Sequence, residues 1–190
     1  MPYIIRFAGP SNTGKTTLIQ EIATELCKHE LCIGILKHGH HPPTAVVRTT
    51  DTSPKQQMPD SLRWRQNLPN VDTLYISNEH IEWNSTITSL ETPPTPTECI
   101  EQYFASHDLL LIEGWRDHVF PTILVYHDDH HSDTYVDIEW NTPRNIIGLY
   151  GSGAQRYYEK ILDKILRHPP TYSIENILAH ILHVMNIPSK

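Results

Sequence analysis

Cysteine is scarce in this chain: Cys27, Cys32 and Cys99 are all it has, and no CxxC spacing occurs among them. An odd count so placed excludes a disulfide framework or a cysteine metal cluster and predicts reduced thiols. Long apolar runs are missing too. None approaches the roughly 20 residues that span a bilayer. The first strand candidate begins at residue 3, which leaves no room for a signal peptide. A cytoplasmic protein with no membrane partner is the expectation. Basic charge is also short: 15 Lys and Arg against 22 Asp and Glu give a formal net charge of −7. Such a balance argues against nucleic acid as the main partner. No internal repeat is evident. The 190 residues are enough to bury a core. One domain, 1–190, is the expected organisation, with 153–190 as a helical extension packed on it.

What the chain does have is concentrated in residues 9–16, Gly-Pro-Ser-Asn-Thr-Gly-Lys-Thr, which fit the pattern G-x-x-x-x-G-K-[ST]. Gly9 and Gly14 permit positive φ and close backbone approach, so the amides of Ser11, Asn12 and Thr13 can turn toward phosphate oxygens. Lys15 is a compact charge that reaches the β- and γ-phosphates, and the Thr16 hydroxyl is a ligand for Mg²⁺. A helix starting at Thr16 and running on through Thr17 adds its N-terminal dipole. The flanks supply the required order. An apolar strand candidate covers 3–8, and Leu18, Ile19, Ile22, Ala23 and Leu26 recur at helical spacing. The bland alternative is an ordinary tight turn between strand and helix.

Further along, the first helix is expected to end near Lys28 or His29, and 31–37 reads as a second strand. Residues 38–59 form a polar, proline-rich stretch longer than an ordinary connector, as functional loops are. A short helix is predicted over 60–66, a third strand over 71–77 and a short edge strand over 79–83. A helix follows over 97–105, then strands over 109–112, 122–126 and 145–150, with another strand candidate at 134–139. Two amphipathic helices close the chain, one carrying Tyr157, Tyr158, Ile161, Leu162, Ile165 and Leu166, the other Ile174, Ile177, Leu178, Ile181, Leu182 and Met185. Alternating strands and helices predict an α/β fold, a three-layer sandwich of the P-loop NTPase type. Its sheet is mostly parallel with additional antiparallel strands and has helices on both faces.

A phosphate loop needs an acidic partner. Ligands of such sheets sit beyond the carboxyl ends of the strands. Asp108 and Glu113 flank one apolar run and stand about 17 Å apart at strand rise. Glu113 therefore shares the crevice with Lys15, and Asp108 belongs at the far edge. Gly114 can bring its N–H close to a γ-phosphate. Lys37, His38, Gly39, His40 and His41 leave the second strand at the same edge. Three readings stay open for them: contact with phosphate or a second ligand, transition-metal binding through His38, His40 and His41, or a plain polar loop. His127, Asp128, Asp129, His130, His131 and Asp133 read as a solvated hairpin loop.

Residues 9–17 (GPSNTGKTT), 35–41 (ILKHGHH), 60–66 (DSLRWRQ) and 110–116 (LLIEGWR) together resemble the MobB family of P-loop GTPases, the molybdopterin-guanine dinucleotide biosynthesis adaptors. The last segment is similar to the family's V-E-G-F-K, with Trp115 and Arg116 at the aromatic and basic places. Asp60 and Ser61 match the end of its D-K-P-G-K-D-S stretch, whereas Asp51 and Lys55 stand at a different spacing and the glycine is missing. The resemblance spans roughly 3–150. It implies a homodimeric protein that binds GTP and Mg²⁺ through residues 9–17, Lys37, His38, His41 and Gly114. It also implies slow GTPase activity and assistance to a MobA-type guanylyltransferase acting on molybdopterin. Lys15 and Glu113 are then the catalytic candidates, Thr16 and Glu113 the metal candidates. Arg63 and Arg65 are the arginines placed to act in trans from a dimer mate. Alternatives within the fold are a nickel-insertion metallochaperone GTPase and an ATP-using small-molecule kinase or ligase. A third is an adaptor that holds nucleotide and hydrolyses none.

Overall fold

The computed structural model describes residues 1–39, 64, 66–84, 86–115, 118–127, 145–161 and 169–188. Strand β1 (Tyr3–Ala8) leads through the glycine loop into helix α1 (Lys15–Leu26). A 3₁₀ turn (Cys27–His29) ends at Glu30, which is left-handed at φ 59°, and the chain enters β2 (Ile33–His38). Then come β3 (Asp72–Ile76), β4 (His80–Trp83), β5 (Thr86–Ser89) and α2 (Pro96–Tyr103). Strands β6 (Leu109–Glu113), β7 (Thr122–Val125) and β8 (Ile146–Tyr150) precede α3 (Ala154–Ile161) and α4 (Ile174–Val184).

The eight strands form one sheet in the order β5-β4-β3-β2-β6-β1-β7-β8. Across the sheet from β3 to β8 all neighbours run parallel, while β3–β4 and β4–β5 are antiparallel. The fold is thus mostly parallel α/β. The carboxyl ends of β1, β2, β6 and β7 share one edge, where the glycine loop lies. One expectation needs correction: 79–83 is no edge strand, because β5 covers its outer side in register Ile81↔Thr88. The Thr-Ile-Thr-Ser run of β5 is short and mostly exposed. It has no apolar alternation to announce it, and its backbone pairing with β4 alone makes it a strand. The 134–139 candidate lies outside the described residues, as does 162–168 of the predicted helix.

Period-2 alternation sorts the strands' side chains onto two faces. Ile5 and Phe7, Ile33 and Ile35, Leu109 and Leu111, and Ile123 and Val125 pack under α1 and α4. Ile4, Leu36, Leu110 and Ile112 pack under α2 on the other side, where Leu124 and Leu149 meet α3. Helix α1 buries its 3.6-period stripe Leu18, Ile19, Ile22, Ala23 and Leu26. Helices α2 and α4 open with reciprocal capping boxes, Thr95 with Glu98 and Ser173 with Asn176. Backbone and hydroxyl hydrogen bonds from Thr95 hold the Glu98 carboxyl below its usual range. All three cysteines are free thiols, and burial pushes Cys99 up to about 12. Among the described residues no helix is long and apolar enough to cross a membrane.

Candidate functional site

The loop after β1 is shaped by contacts that only small residues allow. A Cβ on Gly9 would lie 2.1 Å from the Val125 carbonyl oxygen of β7. Asn12 adopts φ 62°, and Gly14, at φ 82°, is the N-cap of α1 without a side-chain cap. The first amides of α1 therefore have no cap from that side chain, as an anion cradle requires. Thr13 is buried and donates its hydroxyl to the Pro10 carbonyl at 2.9 Å, which ties the loop to itself. The Lys15 ammonium also donates to that carbonyl. Ser11, Asn12 and Thr17 are exposed, and Lys15 and Thr16 are half-buried.

The alternation that builds the core also builds the opposite wall. Inward positions of β2 run Ile33, Ile35, Lys37, and those of β6 run Leu109, Leu111, Glu113. Parallel register sets Lys37 beside Glu113, and Glu113 beside Phe7 of β1. Each apolar row thus ends in a charge at the sheet edge that holds the loop. The Lys37 ammonium donates to Glu113 Oε1 at 3.1 Å, and the two side chains are only 13% and 10% exposed. Thr16, in the first turn of α1, donates its hydroxyl to Glu113 Oε2 at 2.9 Å. Lys37 also lies 3.4 Å from Thr16 Oγ1. Asp108 sits at the far end of β6, where its carboxylate accepts from the Cys32 amide at 2.8 Å.

The chain leaving β6 is clamped. Gly114, at φ 100°, rests against β2 so closely that a Cβ would fall 2.7 Å from the His38 carbonyl oxygen. The His38 ring stacks on Trp115, centroids 5.0 Å apart and planes 18° apart. Arg6 is fully buried; its Nη1 donates to the carbonyls of Trp115 at 2.6 Å and His118 at 2.8 Å, and its Nε to Thr122 Oγ1 at 3.0 Å. Arg6 therefore holds the segment that follows Glu113, although its place in the sequence reads merely as one position of an apolar strand.

Two further residues come to the loop without a local sequence signal. Trp64 is buried, donates Nε1 to the Thr16 carbonyl at 3.4 Å, and carries the Lys37 ammonium 5.6 Å from its ring centroid. His127 meets Tyr150 edge-on at 5.5 Å and stands 4.0 Å from where a Gly14 Cβ would lie, so this end of the 127–133 stretch packs beside the loop. His40, His41, Asp51, Lys55, Asp60, Ser61, Arg63, Arg65, Arg116 and 128–133 lie outside the described residues. Among the described residues no group of three or more His, Cys, Asp or Glu is placed to hold a metal ion. The donors that do meet, the Thr16 hydroxyl and the Glu113 carboxylate, are hard oxygens. Mg²⁺ suits such a pair when phosphates supply further ligands.

Known proteins resemble this chain in sequence and in fold. Residues 4–150 match the family model described as molybdopterin guanine dinucleotide synthesis protein B, MobB. The molybdopterin-guanine dinucleotide biosynthesis adapter protein of Haemophilus influenzae is 26% identical over 129 residues, covering 66% of this chain and 64% of that protein. The protein of the same name from Escherichia coli is 27% identical over 131 residues, covering 66% of each. The chain thus spans just under two thirds of the length of these relatives. Two solved structures of Bacillus subtilis MobB share the fold at 19% and 20% identity, with TM-scores of 0.50 and 0.52 and at least 99% of each chain covered. The chain belongs to the molybdopterin guanine dinucleotide synthesis protein B (MobB) family.

Proposed function

We propose that this protein binds GTP on the loop of residues 9–17 and serves as a cytoplasmic, homodimeric adapter in molybdopterin-guanine dinucleotide synthesis, hydrolysing GTP slowly. The Thr16–Glu113 hydrogen bond of 2.9 Å carries the reading, because it joins the start of the phosphate-binding helix to the acidic end of β6. A carboxylate that merely ended a strand in solvent would not be nearly buried against that hydroxyl. The adapter role draws on the names of the relatives, and the guanylyltransferase partner on the family resemblance.

Each residue has a distinct task. Loop amides and Lys15 bind the phosphates. Thr16 and Glu113 would hold Mg²⁺, which when bound offsets phosphate charge. Glu113 accepts a hydrogen bond from the Thr16 hydroxyl at Oε2, which fixes the direction of the hydroxyl lone pairs, while its Oε1 accepts from Lys37. Turnover is expected to be slow, since phosphoryl transfer relies on positioned cations. Arg63 and Arg65, the arginines that could act in trans from a dimer mate, lie outside the described residues.

Calorimetric titration of GTP and ATP, with Mg²⁺ varied, tests the reading. The native chain should saturate with GTP and prefer it to ATP. Glu113→Gln should still bind nucleotide but need about 10–100-fold more Mg²⁺, the usual cost of removing a partner that orients a metal ligand. A preference for ATP would move the chain to the kinase or ligase class. An unchanged Mg²⁺ requirement would remove Glu113 from the site.

A further inference from the structure

The strand order β2-β6-β1-β7-β8 puts Lys37 and Glu113 on one flank of β1 and the ends of β7 and β8 on the other. His127 stands on that second flank, two residues past the end of β7. Its Cδ2 lies 4.0 Å from where a Gly14 Cβ would be, and its ring meets Tyr150 of β8 edge-on at 5.5 Å. The chain before it is firmly held. The Tyr126 amide donates to the Tyr150 carbonyl at 2.9 Å, and the Tyr126 ring stacks on Tyr157 of α3, centroids 4.6 Å and planes 4° apart. Gly151, at φ 105°, lets the turn after β8 close on the same point. A Cβ there would fall 2.1 Å from the Tyr126 carbonyl oxygen and 3.0 Å from His127 Cδ2. The imidazole is thus fixed on two sides yet only half-buried, a flat surface set beside the glycine loop.

We infer that His127, backed by Tyr150, forms the nucleoside subsite of the loop, with its imidazole as the surface on which the base of a purine nucleotide stacks. The inference rests on the nucleotide reading above and deepens it, because it names what distinguishes a nucleotide from bare phosphate. Direction carries the argument. In phosphoryl-transfer sites the metal bridges β- and γ-phosphate oxygens. The hard-oxygen donors Thr16 and Glu113 meet on the β6 flank. The terminal phosphates therefore lie toward β6, and the α-phosphate with its nucleoside leaves the loop toward β7 and β8. There the described chain offers the rings of His127 and Tyr150. Aromatic stacking accepts the face of any base, so His127 supplies affinity for the nucleoside and not selectivity for guanine.

His127→Ala tests this, with His127→Phe as the variant that restores a flat ring. Affinities for GTP, GDP and inorganic tripolyphosphate should be measured by calorimetry in Mg²⁺, with melting curves to confirm folding. His127→Ala should weaken GTP and GDP alike by about fivefold or more, the usual loss when the aromatic partner of a base is truncated. Its affinity for tripolyphosphate should not change, and His127→Phe should recover most of the nucleotide affinity. In the native chain, the NMR signals of the His127 ring protons should shift on addition of GTP and stay in place with tripolyphosphate. Unchanged GTP affinity in His127→Ala, or ring signals that GTP leaves unmoved, would overturn the inference. So would an equal loss for tripolyphosphate, which would make the ring a prop for the loop. Failure of the native chain to bind either GTP or tripolyphosphate is a different outcome and would defeat the P-loop reading itself.

Discussion

Lys15→Ala should weaken GTP binding about 100-fold or more, while the chain stays folded. The size follows from charge-assisted hydrogen bonds to the β- and γ-phosphates, each worth about 1.5–3 kcal/mol, at a tenfold change for every 1.4 kcal/mol. Folding should be little affected, because Lys15 is only half-buried and its ammonium bonds a carbonyl of its own loop. Alanine is also the best helix former at this first position of α1. Calorimetry on the variant, with circular dichroism to confirm the fold, checks the result. Binding as tight as the native chain's would mean that the nucleotide is held elsewhere.

Gly9→Ala should be more damaging, since it removes binding and stability together. The added methyl would sit 2.1 Å from the Val125 carbonyl oxygen and 3.2 Å from Thr13 Oγ1. Neither obstacle is the flexible end of a long side chain. Val125 belongs to β7, which pairs with β1 in register Ala8↔Leu124. The clash must therefore separate these central strands or push the loop aside. Overpacking of this kind costs about 1–3 kcal/mol, and more where backbone must move. A fall in melting temperature of about 2–4 °C per kcal/mol is expected for a chain of this size. Nucleotide affinity should be lost even at temperatures where the variant remains folded, because the same displacement spoils the amide cradle. A variant that melts and binds like the native chain would contradict the loop geometry.

Much of this site is readable from the chain because its components are local. Glycine spacing, the apolar strand before it and the helical stripe after it all lie within one short segment. The strand ending in Glu113 is equally plain from its unbroken apolar run. Strand geometry alone then puts Glu113, and not Asp108, on the side of the loop. The meeting of Lys37 with Glu113 is less legible: each strand is visible, but their register is a contact between distant segments. Trp64 reads only as an aromatic in a short helix. Its contacts with Thr16 and Lys37 arise from how the segment before Leu68 packs into the core. Arg6 escapes for a similar reason, since its acceptors lie more than a hundred residues onward. Strand β5 depends on its neighbour for backbone pairing, so no pattern of its own marks it.

The most direct test is a crystal structure with Mg²⁺ and a non-hydrolysable GTP analogue bound. The phosphates should lie on the amides of Gly14, Lys15 and Thr16, with Thr16 Oγ1 about 2.0–2.1 Å from the metal. Glu113 should remain hydrogen-bonded to that hydroxyl. An analogue seated away from this loop, or a Glu113 carboxylate turned from Thr16, would contradict the account.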